Sequence, residues 1–277
     1  MNPAEVLAAV QERARGFSGR LGLWAHSLTS GTTVQWNASE TFPAASTIKL
    51  PILYEVFRQA GEGRFRLDDR REVRDDDLVE GSGVLKDLTP PLQLSIRDLA
   101  TLMIVVSDNT AANVLIDLVG IEAVNRSMSD LGLRKTRLEA RFFRAPAGTP
   151  RSATTPEDLG HLLALIAGHE VLDAEACEEM LALLRRQHHT EQITRRMADF
   201  DGYVEADAVP AVTVASKSGA IRGTRNDVGL VERPGLRYVI AMMTRDCADR
   251  RFHPDNEASL LLADVAAIVD GAFRGGL

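Results

Sequence analysis

The chain is short of several things, and each shortage excludes a class. Among 277 residues there are only two cysteines, Cys177 and Cys247. They lack CxxC spacing and are too few for a disulfide framework, so two unpaired thiols are expected. No stretch approaches the ~20 consecutive apolar residues of a spanning helix. There is no excess of positive charge either: 32 basic against 39 acidic side chains leave a net charge of −7. That balance gives no footprint for nucleic acid or an anionic membrane. At the N-terminus no basic region precedes an apolar run, and Glu5 interrupts one. As given, the chain therefore reads as cytoplasmic, or as periplasmic or secreted if a leader has been removed. Lysine is scarce too. Of the 32 basic residues only Lys49, Lys86, Lys135 and Lys217 are lysine. A position that keeps lysine where arginine is the habit can need an amine that loses its proton. Arginine, with a pKa above ~12, cannot do this.

What is present is a globular chain, 45% hydrophobic, long enough for one large domain or two intimately packed ones. Val6, Leu7 and Val10 at helical spacing predict a first amphipathic helix. Leu21 to Leu28 and Val34 to Trp36 read as a hairpin, and Ser46 to Ala60 as a helix. Arg64 to Asp77, dense in both charge signs, reads as a solvated connection, its three consecutive aspartates pointing apart rather than at a metal. Helices are expected at about 95–106, 109–119, 121–131, 156–167 and 173–187. Thr155-Pro156-Glu157-Asp158 is a strong helix start. A long loop, 137–155, separates the third of these from the fourth; loops of that length are often functional. Strands follow at Ala211 to Ser218, Arg225 to Glu232 and Leu236 to Arg245, then a helix at about 256–273. Strands at both ends around a block of helices predict an α+β fold. One lobe would comprise about 1–45 and 205–277, the other, all-helical, about 46–204, with a site in the seam.

Three motifs carry chemistry. Ser46-Thr47-Ile48-Lys49 is the only S-x-x-K; on a helix it puts the amine on the serine's face. Burial would lower the ammonium pKa, so that the amine can take the serine proton. Taken alone, it reads better as a helix start with Ser46 near the N-cap. Ser107-Asp108-Asn109 falls between two helices, where it can relay a proton and bind a carbonyl, or simply cap the second helix. Lys217-Ser218-Gly219 closes a β-branched run, and its glycine lets a substrate backbone approach the strand. Arg225, beyond a turn at Gly223, offers a guanidinium suited to a carboxylate. His188-His189-Thr190-Glu191 lacks the H-E-x-x-H order and reads as surface histidines on a helix end. Neither a GxGxxG nor a P-loop is present, so there is no case for a nucleotide, and with no metal-ligand spacing either, no metal or other cofactor is expected.

In this order, S-x-x-K, S-D-N and K-[ST]-G are the motif set of the penicillin-recognising serine acyltransferases. The chain resembles the class A β-lactamases and their relatives over nearly its whole length, down to Ser107-Asp108-Asn109-Thr110-Ala111-Ala112-Asn113. The resemblance implies a β-lactamase/transpeptidase-like fold with a five-stranded antiparallel sheet and a helical lobe. It implies Ser46 as the acylated nucleophile, Lys49 as its base and Ser107 as the proton relay to the departing nitrogen. Asn109 would hold the substrate's side-chain amide. Lys217, Ser218 and Arg225 would bind a substrate carboxylate, and Gly219 would let the substrate approach the strand. The backbone N–H groups of Ser46 and Ala220 would form the oxyanion hole. The expected partner is a small carboxylate-bearing molecule, met by a monomer.

One position departs from that family. Class A enzymes carry a loop glutamate that activates the deacylating water; here the count from Arg137-Leu138-Glu139 brings Phe142 to that place. Glu139 is the only nearby carboxylate. Nor does an aromatic follow Glu80, and Gly81 and Gly83 predict an open rim. The expectation is a β-lactamase-like hydrolase with slow deacylation. Its rivals are an esterase, amidase or D,D-peptidase, and a covalent β-lactam sensor that does not turn over.

Overall fold

In the computed structural model, which describes residues 1–202 and 208–277, helix α1 (Pro3–Arg13) starts the chain, its Glu5 N–H capped by Asn2. Strands β1 (Arg20–Ser27) and β2 (Thr33–Trp36) form the expected hairpin. The last three strands are β7 (Thr213–Ile221), β8 (Thr224–Arg233) and β9 (Leu236–Arg245), and helix α8 (Glu257–Arg274) follows. Together they make one antiparallel sheet of order β2-β1-β9-β8-β7. The two ends of the chain thus meet in the middle of a single sheet.

Alternation along β9 shows how that sheet serves two cores. Tyr238, Ile240 and Met242 join Val6, Val10, Val265 and Val269 on the side of α1 and α8. Val239, Ala241 and Met243 join the other core. That second core is built around α2 (Lys49–Gly61), whose Ile52, Leu53 and Val56 are fully buried. Around it pack α3 (Ile96–Val105), α4 (Asn109–Val119), α5 (Ile121–Asp130), α6 (Pro156–Ala167) and α7 (Ala174–Arg185). Helix α6 starts as its residues dictate: Thr155 Oγ1 accepts from Asp158 N–H at 2.9 Å, with Pro156 in the first turn.

Two expectations need correction. The segment 64–77 is not merely a solvated connection, because β4 (Arg70–Val73) pairs with β5 (Leu92–Ser95). Arg70, Arg71 and Glu72 are exposed and only Val73 is buried, so charge masked the strand. The helix expected from Ser46 begins as a 3₁₀ turn, Ala45–Ile48, and becomes α-helical only at Lys49. The lobe boundary expected at about 204/205 lies outside the described residues. Both cysteines are buried and unpaired. No helix among the described residues is long and apolar enough to cross a membrane.

Candidate active site

Ser46 sits at the seam between the sheet and the helical core because the short stretch before it is pinned from two sides. Strand β3 (Phe42–Pro43) pairs with β6 (Ala153–Thr154). From the central sheet, Asn226 on β8 donates its amide to the carbonyls of Pro43 (2.8 Å) and Ala44 (3.1 Å). Ala45 then takes a left-handed φ of 48°, a strained conformation for a residue with a Cβ. That bend turns the chain into the 3₁₀ turn and leaves Ser46 half-buried at the surface of two grooves. Strand β7 crosses directly over this turn. A Cβ on Gly219 would lie 2.8 Å from Ser46 N and 2.9 Å from Thr47 N, so only glycine permits the approach that sets Ala220 beside Ser46.

Below Ser46 the Lys49 ammonium nitrogen is fully buried. Nζ donates to Ser107 O at 2.6 Å, Asn109 Oδ1 at 2.7 Å and Ser107 Oγ at 3.1 Å. Among the described residues, no hydrogen bond reaches Ser46 Oγ, so the lysine contacts the S-D-N segment rather than the serine it shares a motif with. Burial holds the Lys49 amine well below the usual lysine range; the neighbouring Lys217 adds to this and Asp108 opposes it. Ser107, at φ 55°, forms the break between α3 and α4. Asp108 caps α4 through Ala111 N–H and takes the N–H groups of Val84 and Leu85 on its other oxygen. Asn109 is occupied on both sides, its Nδ2 donating to Glu80 O at 3.1 Å.

Lys217 is fully buried behind Ser218 and is held by a residue that the motif analysis passed over. Gln187 Oε1 accepts from Lys217 Nζ (3.2 Å), Ser218 N (2.9 Å) and Ser218 Oγ (3.1 Å), while its Nε2 donates to Ser216 Oγ at 2.7 Å. The only hint in the sequence was a glutamine just past a helix end. Burial drives Lys217 down to about 7, against the pull of Asp227, and lifts Asp227 to about 7. Gln187→Leu is expected to lower unfolding free energy by roughly 1–3 kcal/mol, because it strands buried donors. Urea denaturation checks this, and an unchanged midpoint and slope would show that the amide holds nothing.

Arg225 lines the same groove as Ser107 and Ser218. Its guanidinium is engaged by the carbonyls of Ile221, Thr224 and Arg251 and lies 5.0 Å from the Phe252 ring. The histidine reading also changes. Helix α7 ends at Arg185, so both histidines lie beyond it, and His189 is half-buried in the groove wall beside Ser46.

In the long loop, the Phe142 ring stands 4.5 Å from Lys49 Nζ. It is held there by Asn113, which bonds Phe142 N (2.7 Å) and Phe142 O (2.9 Å). Glu139 is instead bound by Arg137 at 3.2 Å. The rim is not open as the glycines suggested. Phe143, at φ 55°, comes from the opposite side, and a Cβ on Gly81 would lie 2.9 Å from its ring and 2.6 Å from Asn109 Nδ2.

A family model described as "Beta-lactamase enzyme family" matches residues 4–273. The chain belongs to this family. A β-lactamase of Rhodobacter capsulatus is 29% identical over 277 residues, covering 98% of this chain and 88% of that one. Among solved structures, a β-lactamase from Sphaerobacter thermophilus DSM 20745 superposes with a TM-score of 0.87 at 31% identity, over 99% and 98% of the two chains. PBP-A superposes with a TM-score of 0.85 at 30% identity, over 98% and 96%; a mutant of it has been solved as an acyl-enzyme complex with penicillin G. The β-lactamase-family fold, a five-stranded antiparallel sheet with helices, is the one expected from the motifs.

Proposed function

We propose that this β-lactamase-family chain opens β-lactam rings through an acyl-enzyme on Ser46 and releases the product slowly. One observation carries this reading: a fully buried amine, Lys49, lies between the S-D-N segment and an aromatic ring, with no loop carboxylate beside it. The named β-lactamases and PBP-A among its relatives support the substrate class.

In the acylation step, Ser46 Oγ attacks the lactam carbonyl as its proton passes to the neutral Lys49 amine. The N–H groups of Ser46 and Ala220 receive the developing oxyanion. As the ring C–N bond breaks, Ser107 gives its proton to the nitrogen and is reprotonated from Lys49, which its Oγ faces at 3.1 Å. Ser218 binds the substrate carboxylate with the Lys217 charge buried directly behind it, and Arg225 adds positive charge to that end of the groove. Deacylation needs a base for water. Phe142 supplies none, so the same geometry favours a long-lived adduct over rapid turnover, and a covalent penicillin binder is the second reading.

The test is nitrocefin hydrolysis followed through burst and steady state, with the adduct mapped by mass spectrometry. The expected result is a burst of one equivalent, an adduct on the peptide containing Ser46, and a slow steady state. Absence of any adduct, or an adduct on another peptide, would overturn the assignment. A plateau without turnover would select the covalent binder.

A further inference from the structure

Two grooves leave Ser46. One, of about 280 Å³, passes Ser107, Ser218 and Arg225. The other, of about 560 Å³, passes Asn109, Ala220 and Phe142. Under the acyl-enzyme reading above, on which this inference rests, the second groove receives the acyl side of the substrate. Its lining inverts the charge of the molecule. The chain as a whole carries −7, yet among the described residues lining this groove there are four arginines and no Asp or Glu.

Arg141 has its own partner, Asp117, at 2.8 Å. The other three do not. Among the described residues, no carboxylate lies within ion-pair distance of Arg151, Arg222 or Arg250, and all three are exposed. They converge from three separate segments: the loop before β6, the turn between β7 and β8, and the chain after β9. The same three also line the adjoining groove beyond Pro43, where the one carboxylate, Asp246, is paired with Arg245 at 3.4 Å, so their unpaired charge runs from one groove into the next. Like charges gathered without counter-charge repel one another, and they concentrate an anion wherever a cleft focuses their field. Three aromatic rings share this wall with smaller residues: Phe142, Phe143 and Phe252, the last with the Arg222 guanidinium 5.9 Å from its ring centre. Apolar surface beside free guanidinium groups fits an aryl group that bears an anion.

We propose that Arg151, Arg222 and Arg250 form an acyl-side subsite that selects substrates carrying a second anionic group on an aromatic acyl chain. Such a substrate is a dianion: one carboxylate goes to Ser218 with Lys217 behind it, the other to the arginine band. Neutral acyl chains fill the aromatic wall and leave the band without a counter-charge.

Benzylpenicillin and α-carboxybenzylpenicillin test this directly, since they differ by one carboxylate on the acyl chain. The second-order rate constant for acylation of Ser46, read by intact mass, is expected to favour the dicarboxylate by about tenfold at low ionic strength. Molar salt should bring the ratio near one, as should the combined variant Arg151→Gln, Arg222→Gln, Arg250→Gln. Binding of both penicillins to Ser46→Ala, measured by calorimetry, should show the same preference without chemistry. A ratio of one or below in the unmodified protein at low salt, or a preference unchanged by salt or by the combined variant, would overturn the subsite. If neither penicillin acylates the unmodified protein, the acyl-enzyme reading fails, and the calorimetric ratio still decides the arginine band. The salt series needs no variant, so a misfolded combined variant does not shield the proposal.

Discussion

Replacing Phe142 by glutamate is expected to shorten the life of the Ser46 adduct by roughly 10²- to 10⁴-fold, the usual contribution of a positioned general base. The backbone at this position is already fixed, since Asn113 bonds both Phe142 N and Phe142 O. A carboxylate there would start from a ring position 4.5 Å from Lys49 Nζ, on the floor of the groove that contains Ser46. Water between the introduced carboxylate and the ester would meet a base where it now meets a phenyl face. The substitution has a second consequence. A negative charge beside Lys49 favours its ammonium form, so acylation should slow as deacylation quickens. Single-turnover mass spectrometry separates the two steps. An adduct as long-lived in Phe142→Glu as in the native protein would show that the missing carboxylate is not what limits release.

Lys49→Arg and Lys49→Met should each slow acylation by about 10²- to 10⁴-fold, for different reasons. Arginine keeps the charge but cannot give up its proton near neutrality. Methionine nearly keeps the shape and has no proton acceptor of useful strength. Agreement between the two identifies the free amine, rather than positive charge or packing, as what the reaction needs. The pH profile of acylation follows from the same burial. Below its pKa Lys49 is protonated and has no lone pair for the serine proton, so the rate falls on acidification. Because burial holds that pKa well below 10.5, the basic limb should level off well before the ordinary lysine range. A limb still rising at pH 10.5, or near-native acylation by Lys49→Arg, would remove the amine from the base role.

The parts of this structure that could be read in the sequence are those where local chemistry and fold agree. Thr155 and Pro156 start α6 where expected, and the apolar run of β9 forms a strand with the expected ends. The motif residues Ser46, Ser107 and Ser218 meet on one groove although 172 positions separate the first from the last (218 − 46). Ordered motifs carried that information; no local pattern did. What escaped was whatever depends on approach in space. Gln187 and Asn226 act through long-range hydrogen bonds to Lys217 and to Ala44, and nothing in their neighbours signals this. The rim reads as open at Gly81 because a missing side chain was taken for space. That space is filled by Phe143 from a loop 62 positions later (143 − 81).

The sheet order has a consequence for how the protein comes into being. On a ribosome, Ser46, Lys49 and Ser107 leave the exit tunnel before the strands that carry Gly219 and the Asn226 anchor, and β9 follows both. β1 cannot take its place until β9, its partner along all eight residues from Arg20 to Ser27, has been made. Contacts of such sequence separation make folding slow, and the nascent chain holds its buried amine and hydroxyls unassembled until those strands are made. The groove is therefore completed only once β7, β8 and β9 have all been made, and chains halted before β7 are expected to be inert towards β-lactams.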